Sequence, residues 1–289
     1  MIKIGTTFSG IGAPEQALKN LGISHIIKWA CDIDKHAKQT YFANHTCEKW
    51  HDDITKINID ELEYVDLYVF GFPCQAYSSQ GLRGGLEDHR GKLIYYSLKI
   101  LQEKQPKYFI AENVRGLLTH DNGNTFRIIK ESLESTGYNI TFKLLNSKDY
   151  GIPHNRPRVY IIGIRKDLNR NFIFGEHPEI NIELKDILEP NPDNKFFMTN
   201  HQINYCQHPK FNSDKVVVNP KIAKCLRTGA RSYYKLNGIY RFLTNIEQKR
   251  LQGFPDDFKM PVSDTQIRRQ MGNTMTVTVL EQIFKQLAI

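Results

Sequence analysis

The sequence predicts a doubly wound, Rossmann-like α/β fold with a small, mostly irregular and β-containing domain inserted before a C-terminal helix. Three observations carry that expectation. Apolar, strand-like runs alternate with helix-length stretches through residues 1–165, the order that builds an open parallel sheet with helices on both faces. The first run ends in a glycine-rich turn, FSGIG at residues 8–12. From residue 166 the rhythm fades and prolines become frequent (Pro178, Pro190, Pro192, Pro209, Pro220), before helical spacing returns at Met275, Val279, Ile283 and Leu287. One domain is therefore expected from residues 1–165 plus 266–289, and an inserted one from 166–265.

The elements follow in order. Residues 2–8 read as a short apolar strand and 13–21 as the helix after the glycine-rich turn. Strand 25–31 and helix 34–44 come next, with a third strand expected before Asp53. Residues 65–70 read as a buried strand, 90–101 as a helix and 108–111 as a strand. A helix at 123–135 and strands at 139–145 and 159–164 complete the first unit, whose parallel sheet is expected to end near Arg165. A helix at 275–287 would dock back onto it.

With 289 residues, 40% of them hydrophobic, the chain can bury a sizeable core. A formal charge of +8 favours a polyanionic partner, with nucleic acid the leading candidate. The five cysteines (Cys31, Cys47, Cys74, Cys206, Cys225) form no CxxC pair, which fits reduced thiols and speaks against a structural zinc site. The segment MIKIGTTFSG lacks the apolar core of a signal peptide, and no apolar run approaches the ~20 residues that span a bilayer. A soluble, cytoplasmic protein without metal is expected.

The chemistry begins at FSGIG, where small residues let a ligand approach the backbone and the following helix N-terminus. Pro14 and Glu15 follow Gly12, so this is not the pyrophosphate-binding GxGxxG; it is either an ordinary tight turn or the site of another nucleoside ligand. Asp32 ends the second strand, where a carboxylate can accept hydrogen bonds from ribose hydroxyls, and Asp53 could meet an adenine amino group. Either could equally be a solvated loop charge. The fourth strand leads into GFPCQAYSSQGLRGG, putting Pro73 and Cys74 where open α/β sheets place their ligands; the fifth ends in AENV, putting Glu112 and Asn113 on the same edge. A lone cysteine is more often inert than catalytic, but a thiol and a carboxylate facing one pocket reverse that balance.

These motifs, in this order, resemble those of the cytosine-5 DNA methyltransferases along nearly the whole chain. FSGIG (Phe8, Ser9, Gly10, Ile11, Gly12) resembles the family's first cofactor motif. Asp32 with Ile33 resembles its ribose-binding acid, and Asp53 with Ile54 its adenine contact. GFPCQAYSSQG is similar to its nucleophile motif, and Glu112 to Val114 to its catalytic glutamate motif. NRPRVYIIG, with Arg156 and Arg158, resembles its paired-arginine motif, except that His154 stands where the family usually has Gln. RFLTNIEQKRLQGFPDDF resembles the support of its recognition domain, and QMGNTMTVTVL, with Asn273, its closing cofactor motif.

The resemblance implies methyl transfer from S-adenosyl-L-methionine to C5 of a cytosine in duplex DNA, with Cys74 as nucleophile, Glu112 activating the base and Arg158 contacting it. The inserted unit becomes a target-recognition domain. Its Lys210, Lys215, Lys221, Lys224, Arg227, Arg231, Lys235 and Arg241, opposed in that stretch by Asp214 alone, should meet phosphates and base edges. Arg227, Thr228, Arg231 and Tyr233 are the first candidates for base readout, with Ser78 and Arg83 as DNA contacts in the loop after Cys74. A monomer is expected, with a cognate restriction endonuclease as a possible genetic partner. A tRNA-acting relative would use the same chemistry, but the small domain carries no Cys-Phe-Thr tripeptide. A noncatalytic DNA-binding relative would not need these motifs intact.

Overall fold

The computed structural model describes residues 1–73, 93–176, 181–208, 216–229 and 231–288. Cys74, Ser78 and Arg83 lie outside them, as do Lys210 and Lys215.

The first unit folds as β1 (Ile2–Thr7), α1 (Ala13–Asn20), β2 (His25–Cys31), α2 (Lys35–Phe42), β3 (Lys49–His51), β4 (Leu67–Phe70), α3 (Ile94–Lys104), β5 (Tyr108–Val114), α4 (Asn124–Ser135), β6 (Tyr138–Asn146) and β7 (Pro157–Arg165). The strands join in one seven-stranded sheet of order β3-β2-β1-β4-β5-β7-β6. After β3 the chain returns from one flank of β1 to the other, so β1 and β4 border the topological switch point, where such sheets open a crevice at their carboxyl ends.

One expectation is corrected. The sheet ends at Arg165, but β7 runs antiparallel to both β5 and β6. The 147–156 connection from β6 to β7 holds only a 3-10 turn, Ser147–Tyr150, before the chain reverses. Parallel neighbours would need a crossover of a dozen or more residues.

The sheet is buried on both faces. Leu67 and Val69 of β4 face a core shared with α1, α2 and the C-terminal helices α7 (Asp264–Asn273) and α8 (Val277–Leu287). Tyr68 and Phe70 face the opposite core, shared with α3 and α4. That period-2 alternation is what a strand covered by helices on each side requires. Two sheet glycines exist because rings cross them: a Cβ at Gly5 would stand 2.2 Å from Trp29, and one at Gly163 2.0 Å from Phe109. No helix among the described residues is long and apolar enough to cross a membrane.

The second unit contains α5 (Asn200–Gln207), a three-stranded sheet of β8 (Val217–Val218), β9 (Tyr234–Leu236) and β10 (Ile239–Arg241), and α6 (Asn245–Arg250). Asn237 and Gly238, with φ of 50° and 84°, make the two-residue hairpin between β9 and β10. A second core is built here on Leu184, Ala223, Tyr234, Leu236, Leu243 and Leu251, with Ile152 from the first unit packed into it. Phe254 and Phe258, further along, pack instead into the large core beside α7 and α8.

Arg241 corrects a second expectation. It is 3% exposed and forms two 2.8 Å bonds to the Glu247 carboxylate, so it is unavailable to phosphate. Glu247 also accepts from the amides of Thr244 and Glu189, each at 2.9 Å, locking β10, α6 and the 189 strap together. Lys221, by contrast, lies 2.9 Å from Glu183 but stays exposed, so the expectation for it stands as it was.

Candidate active site

The turn after β1 is stapled to the end of β2. Ser9 Oγ donates to Cys31 O and accepts from the Cys31 amide, at 3.1 and 3.0 Å. Phe8, Gly10 and Gly12 all have positive φ, of 53°, 56° and 86°. At Gly12 a Cβ would lie 2.4 Å from His45, so only glycine fits. Phe8 holds the left-handed conformation without that freedom, backbone strain of a kind that clusters at ligand sites.

The folded turn aims the Gly10 amide at Asp32, whose Oδ2 accepts it at 2.7 Å, while Oδ1 accepts the Asp34 amide at 2.8 Å. Burial pushes the Asp32 carboxyl up, and these two amides pull it back. Each oxygen keeps a lone pair for further donors, as two ribose hydroxyls would require. Ile33 beside it is 79% exposed, an apolar surface that a flat heterocycle could cover. Asp53 caps the short turn Ile54–Lys56 through its Oδ1, with Ile54 buried beneath. Asn273, exposed at the end of α7, is the remaining cofactor candidate. The residues present thus fit S-adenosyl-L-methionine.

Glu112 stands near the carboxyl end of β5 and is 8% exposed. In the β5–β7 register it pairs with Tyr160, so Arg158, two residues away, lies diagonally on the same face. Arg158 Nε is 3.2 Å from Glu112 Oε1, an ion pair, yet Oε1 receives no aligned hydrogen bond among the described residues. Burial raises the Glu112 carboxyl above the usual range, against the lowering charges of Arg158 and Arg156. The partner across the crevice is Gly71, where a Cβ would come within 3.8 Å of Glu112 Oε2 and 3.0 Å of Met275. Asn113 fixes the next step of chain: its Nδ2 donates to Phe72 O at 3.2 Å, holding the segment that ends in half-buried Pro73.

Arg156 is differently placed. It is 1% exposed, and its Nη2 donates to Gly272 O and Thr274 O, at 3.0 and 2.7 Å, on either side of Asn273. His154, fully buried, donates from Nδ1 to Leu251 O at 2.9 Å and accepts the Leu226 amide on Nε2 at 3.0 Å. Burial, then the charges of Arg156 and Arg158, hold its pKa well below the ordinary value. A neutral imidazole offers one donor and one acceptor, as a glutamine amide can, so the substitution noted in the sequence keeps a bridge of that kind.

Of the recognition candidates, Thr228 is exposed while Arg227, Arg231 and Tyr233 are half-buried. Arg231 lies over the Phe242 ring at 4.7 Å, and Tyr233 packs 5.6 Å from the same ring. Sequence reading passed over Gly71, Glu15 and Arg268. Gly71 had a signal, being a small residue at a strand end beside the nucleophile motif. The other two are given meaning only by their tertiary neighbours.

The glycine-rich turn with Asp32 and the buried Glu112 carboxyl share a single sheet edge, in an α/β fold of methyltransferase architecture. The fold matches the Entamoeba histolytica methyltransferase EhMeth at a TM-score of 0.83, with 21% identity over 99% of each chain. It matches a Spodoptera frugiperda DNMT2 mutant at 0.82, with 21% identity over 100% of each. In sequence the chain is 37% identical to the Type II methyltransferase M.BsuFI of Bacillus subtilis, over 96% of this chain and 70% of that one. It is 35% identical to M.SsoII of Shigella sonnei, over 97% and 78%. The chain belongs to the C-5 cytosine-specific DNA methylase family, whose pattern spans residues 2–239 and 201–288. It is a DNA cytosine-5-methyltransferase.

Proposed function

We propose that the protein methylates C5 of a cytosine rotated out of duplex DNA, through a covalent bond between Cys74 Sγ and C6 of the base, with S-adenosyl-L-methionine bound by residues 8–12, Asp32, Ile33, Asp53, Ile54 and Asn273. The observation that carries this reading is the buried Glu112 carboxyl, raised in pKa and facing Gly71 at the mouth of the nucleophile segment. Cytosine C5 is too electron-poor to accept a methyl group unaided. A carboxyl that retains its proton can donate to N3, while an ionised one can only accept. With N3 so held, the Cys74 thiolate adds to C6 and the ring electrons move to C5, giving a nucleophilic enamine. The cofactor supplies an electrophilic methyl group on its sulfonium. Once C5 carries the methyl and S-adenosyl-L-homocysteine remains as the demethylated product, a base, for which water is the candidate, takes the C5 proton, and the thiolate leaves as the ring is restored.

Arg158, paired with Glu112, is suited to contact the base and to help keep Cys74 as thiolate. Asn113 and Pro73 shape the nucleophile segment. Arg156 supports the site from behind, as a positioning residue. Access to C5 and C6 requires extrusion of the base, at a cost of a few kcal/mol. Residues 166–265 serve as the target-recognition domain, a reading supported by the second core around Leu184, Tyr234, Leu243 and Leu251 and by the basic stretch. The similarity to Type II enzymes supports a place in a restriction-modification system with a cognate endonuclease; the enzyme would act as a monomer in the cytoplasm.

The test is tritium transfer from labelled S-adenosyl-L-methionine to duplex DNA and to tRNA, with Cys74→Ala as control. A duplex carrying 5-fluorocytosine, whose C5 cannot lose a proton, is run in parallel. Transfer to DNA and a trapped adduct, both absent from the variant, are the expected results. Label in tRNA alone, or turnover that survives Cys74→Ala, would refute the substrate or the nucleophile respectively.

A further inference from the structure

Between α7 and the segment that leads into β9 lies a small cleft lined by Arg227, Arg231 and Arg268, with Ser232 and Gln248 beside them. Arg231 is held in place by its stack on Phe242. Arg268 comes from the other wall, and its Nε is buried without a hydrogen-bond partner among the described residues. The carboxylate whose charge reaches Arg231 is Asp264, already bound by Asn245 Nδ2 at 2.7 Å and Lys195 Nζ at 3.1 Å. The cluster of Arg227, Arg231, Arg268 and Lys195 against Asp264 is therefore strongly positive.

Like charges gathered in a partly dry cleft repel, and the arrangement is unfavourable until an anion enters. The edge of a neutral base could hydrogen-bond these arginines but would not offset their charge. An oxyanion does both, because the guanidinium fork matches the spacing of phosphate oxygens. We propose that this cleft is a phosphate site that takes one backbone diester of the docked duplex, so that Arg231 and Arg227 position the DNA and do not read it, and Arg268 is a DNA contact. The proposal rests on the reading that duplex DNA is the substrate.

The position of the cleft adds a consequence. Its arginine-bearing loop sits directly on the end of α7: a Cβ at Gly272 would be 2.7 Å from the Thr228 amide nitrogen and 2.8 Å from the Arg227 carbonyl carbon. Gly272 O is also a partner of Arg156. A phosphate held here would therefore brace the same turn that carries Asn273.

The test compares wild type, Arg268→Gln and Arg268→Lys, each checked by thermal melting for intact folding. Equilibrium binding to duplexes that contain or lack the methylated site is measured across a chloride series. Arg268→Gln should weaken both duplexes alike, by roughly tenfold or more. The slope of log K against log salt should become shallower by about 0.9, the loss of one phosphate contact. Arg268→Lys should keep most of that slope. An unchanged slope and affinity, or a loss confined to one sequence with altered site preference, would overturn the proposal while leaving the methyltransferase reading intact. Melting of wild type in inorganic phosphate, against chloride of equal ionic strength, separates the other source of this chemistry: stabilisation abolished by Arg268→Gln with an unchanged DNA slope would assign the cleft to free phosphate. Absence of any duplex binding by wild type would instead sink the substrate reading, and this inference with it.

Discussion

Replacing Arg156 with Met separates two roles that the sequence motif alone leaves merged. The guanidinium is 1% exposed, and Nη2 holds both Gly272 O and Thr274 O. A hydrogen bond from a charged donor contributes about 1.5–3 kcal/mol, and relief from burying the cation offsets part of the loss. The net destabilisation should be about 2–4 kcal/mol, a drop in Tm of roughly 3–7 °C for a chain of this size. Because both carbonyls flank Asn273, the variant should bind S-adenosyl-L-methionine at least tenfold more weakly, a loss of about 1.4 kcal/mol or more. The step from bound complex to product should change much less. Thermal melting, calorimetric titration with the cofactor, and single-turnover methylation at saturating cofactor measure the three quantities. A variant that melts and binds cofactor like wild type, yet loses single-turnover chemistry, would refute the positioning role and put Arg156 on the base.

Other outcomes follow from the same geometry. Glu112→Gln should lower single-turnover methylation by about 10²–10⁴-fold; in wild type the rate should fall as pH rises through the raised Glu112 pKa, and Arg158→Gln, by removing the charge that lowers it, should move that alkaline limb to higher pH. A limb that moves to lower pH would contradict the assignment. Arg241→Met should cost about 3–5 kcal/mol in denaturant unfolding because it strands the buried Glu247 carboxylate, and adding Glu247→Leu should restore most of it. Equal destabilisation by single and double variants would show that packing, not charge, is at stake. Glu15, 1% exposed behind the glycine-rich turn, has its carboxyl pushed up to about 7 from 4.5, chiefly by burial. Its contribution is fully present below the unfolded value and is lost as pH rises through the folded one, so stability should decline between about pH 4.5 and 7, by at most about 3 kcal/mol. Glu15→Gln should flatten that decline; an unaltered profile would assign it to another group.

The alternation of apolar runs and helical stretches made the α/β class legible, and the strands read at 25–31, 65–70 and 108–111 overlap β2, β4 and β5 closely. The direction of β7 was not legible from hydrophobicity, which is the same for either orientation of a buried strand; the shortness of the 147–156 connection was the usable signal. Helix α7 was hidden because few of its positions are apolar and its charged residues face outward or into the cleft, and the Asn237-Gly238 hairpin signal went unused. The site motifs mark residues by type and order, but burial decides what each can do. Arg156 and Arg158 are two residues apart on one strand-entry segment, yet one reaches into the end of α7 and the other meets Glu112.

On the proposed function, that divergence lets one site serve two bound molecules. The strand order places the Asp32 turn at the ends of β1 and β2 and the Glu112 carboxyl at the end of β5, with β4 and its Gly71 between them. The short turn at Gly272–Thr274 is gripped by Arg156 from the strand side and abutted by Arg227 and Thr228 from the other. His154 repeats the connection one step away, joining the Leu226 amide to the Leu251 carbonyl. A duplex seated on residues 226–231 and a cofactor seated beside Asn273 would therefore each order backbone that the other needs, and their binding free energies should be coupled in the favourable direction, equally from either side.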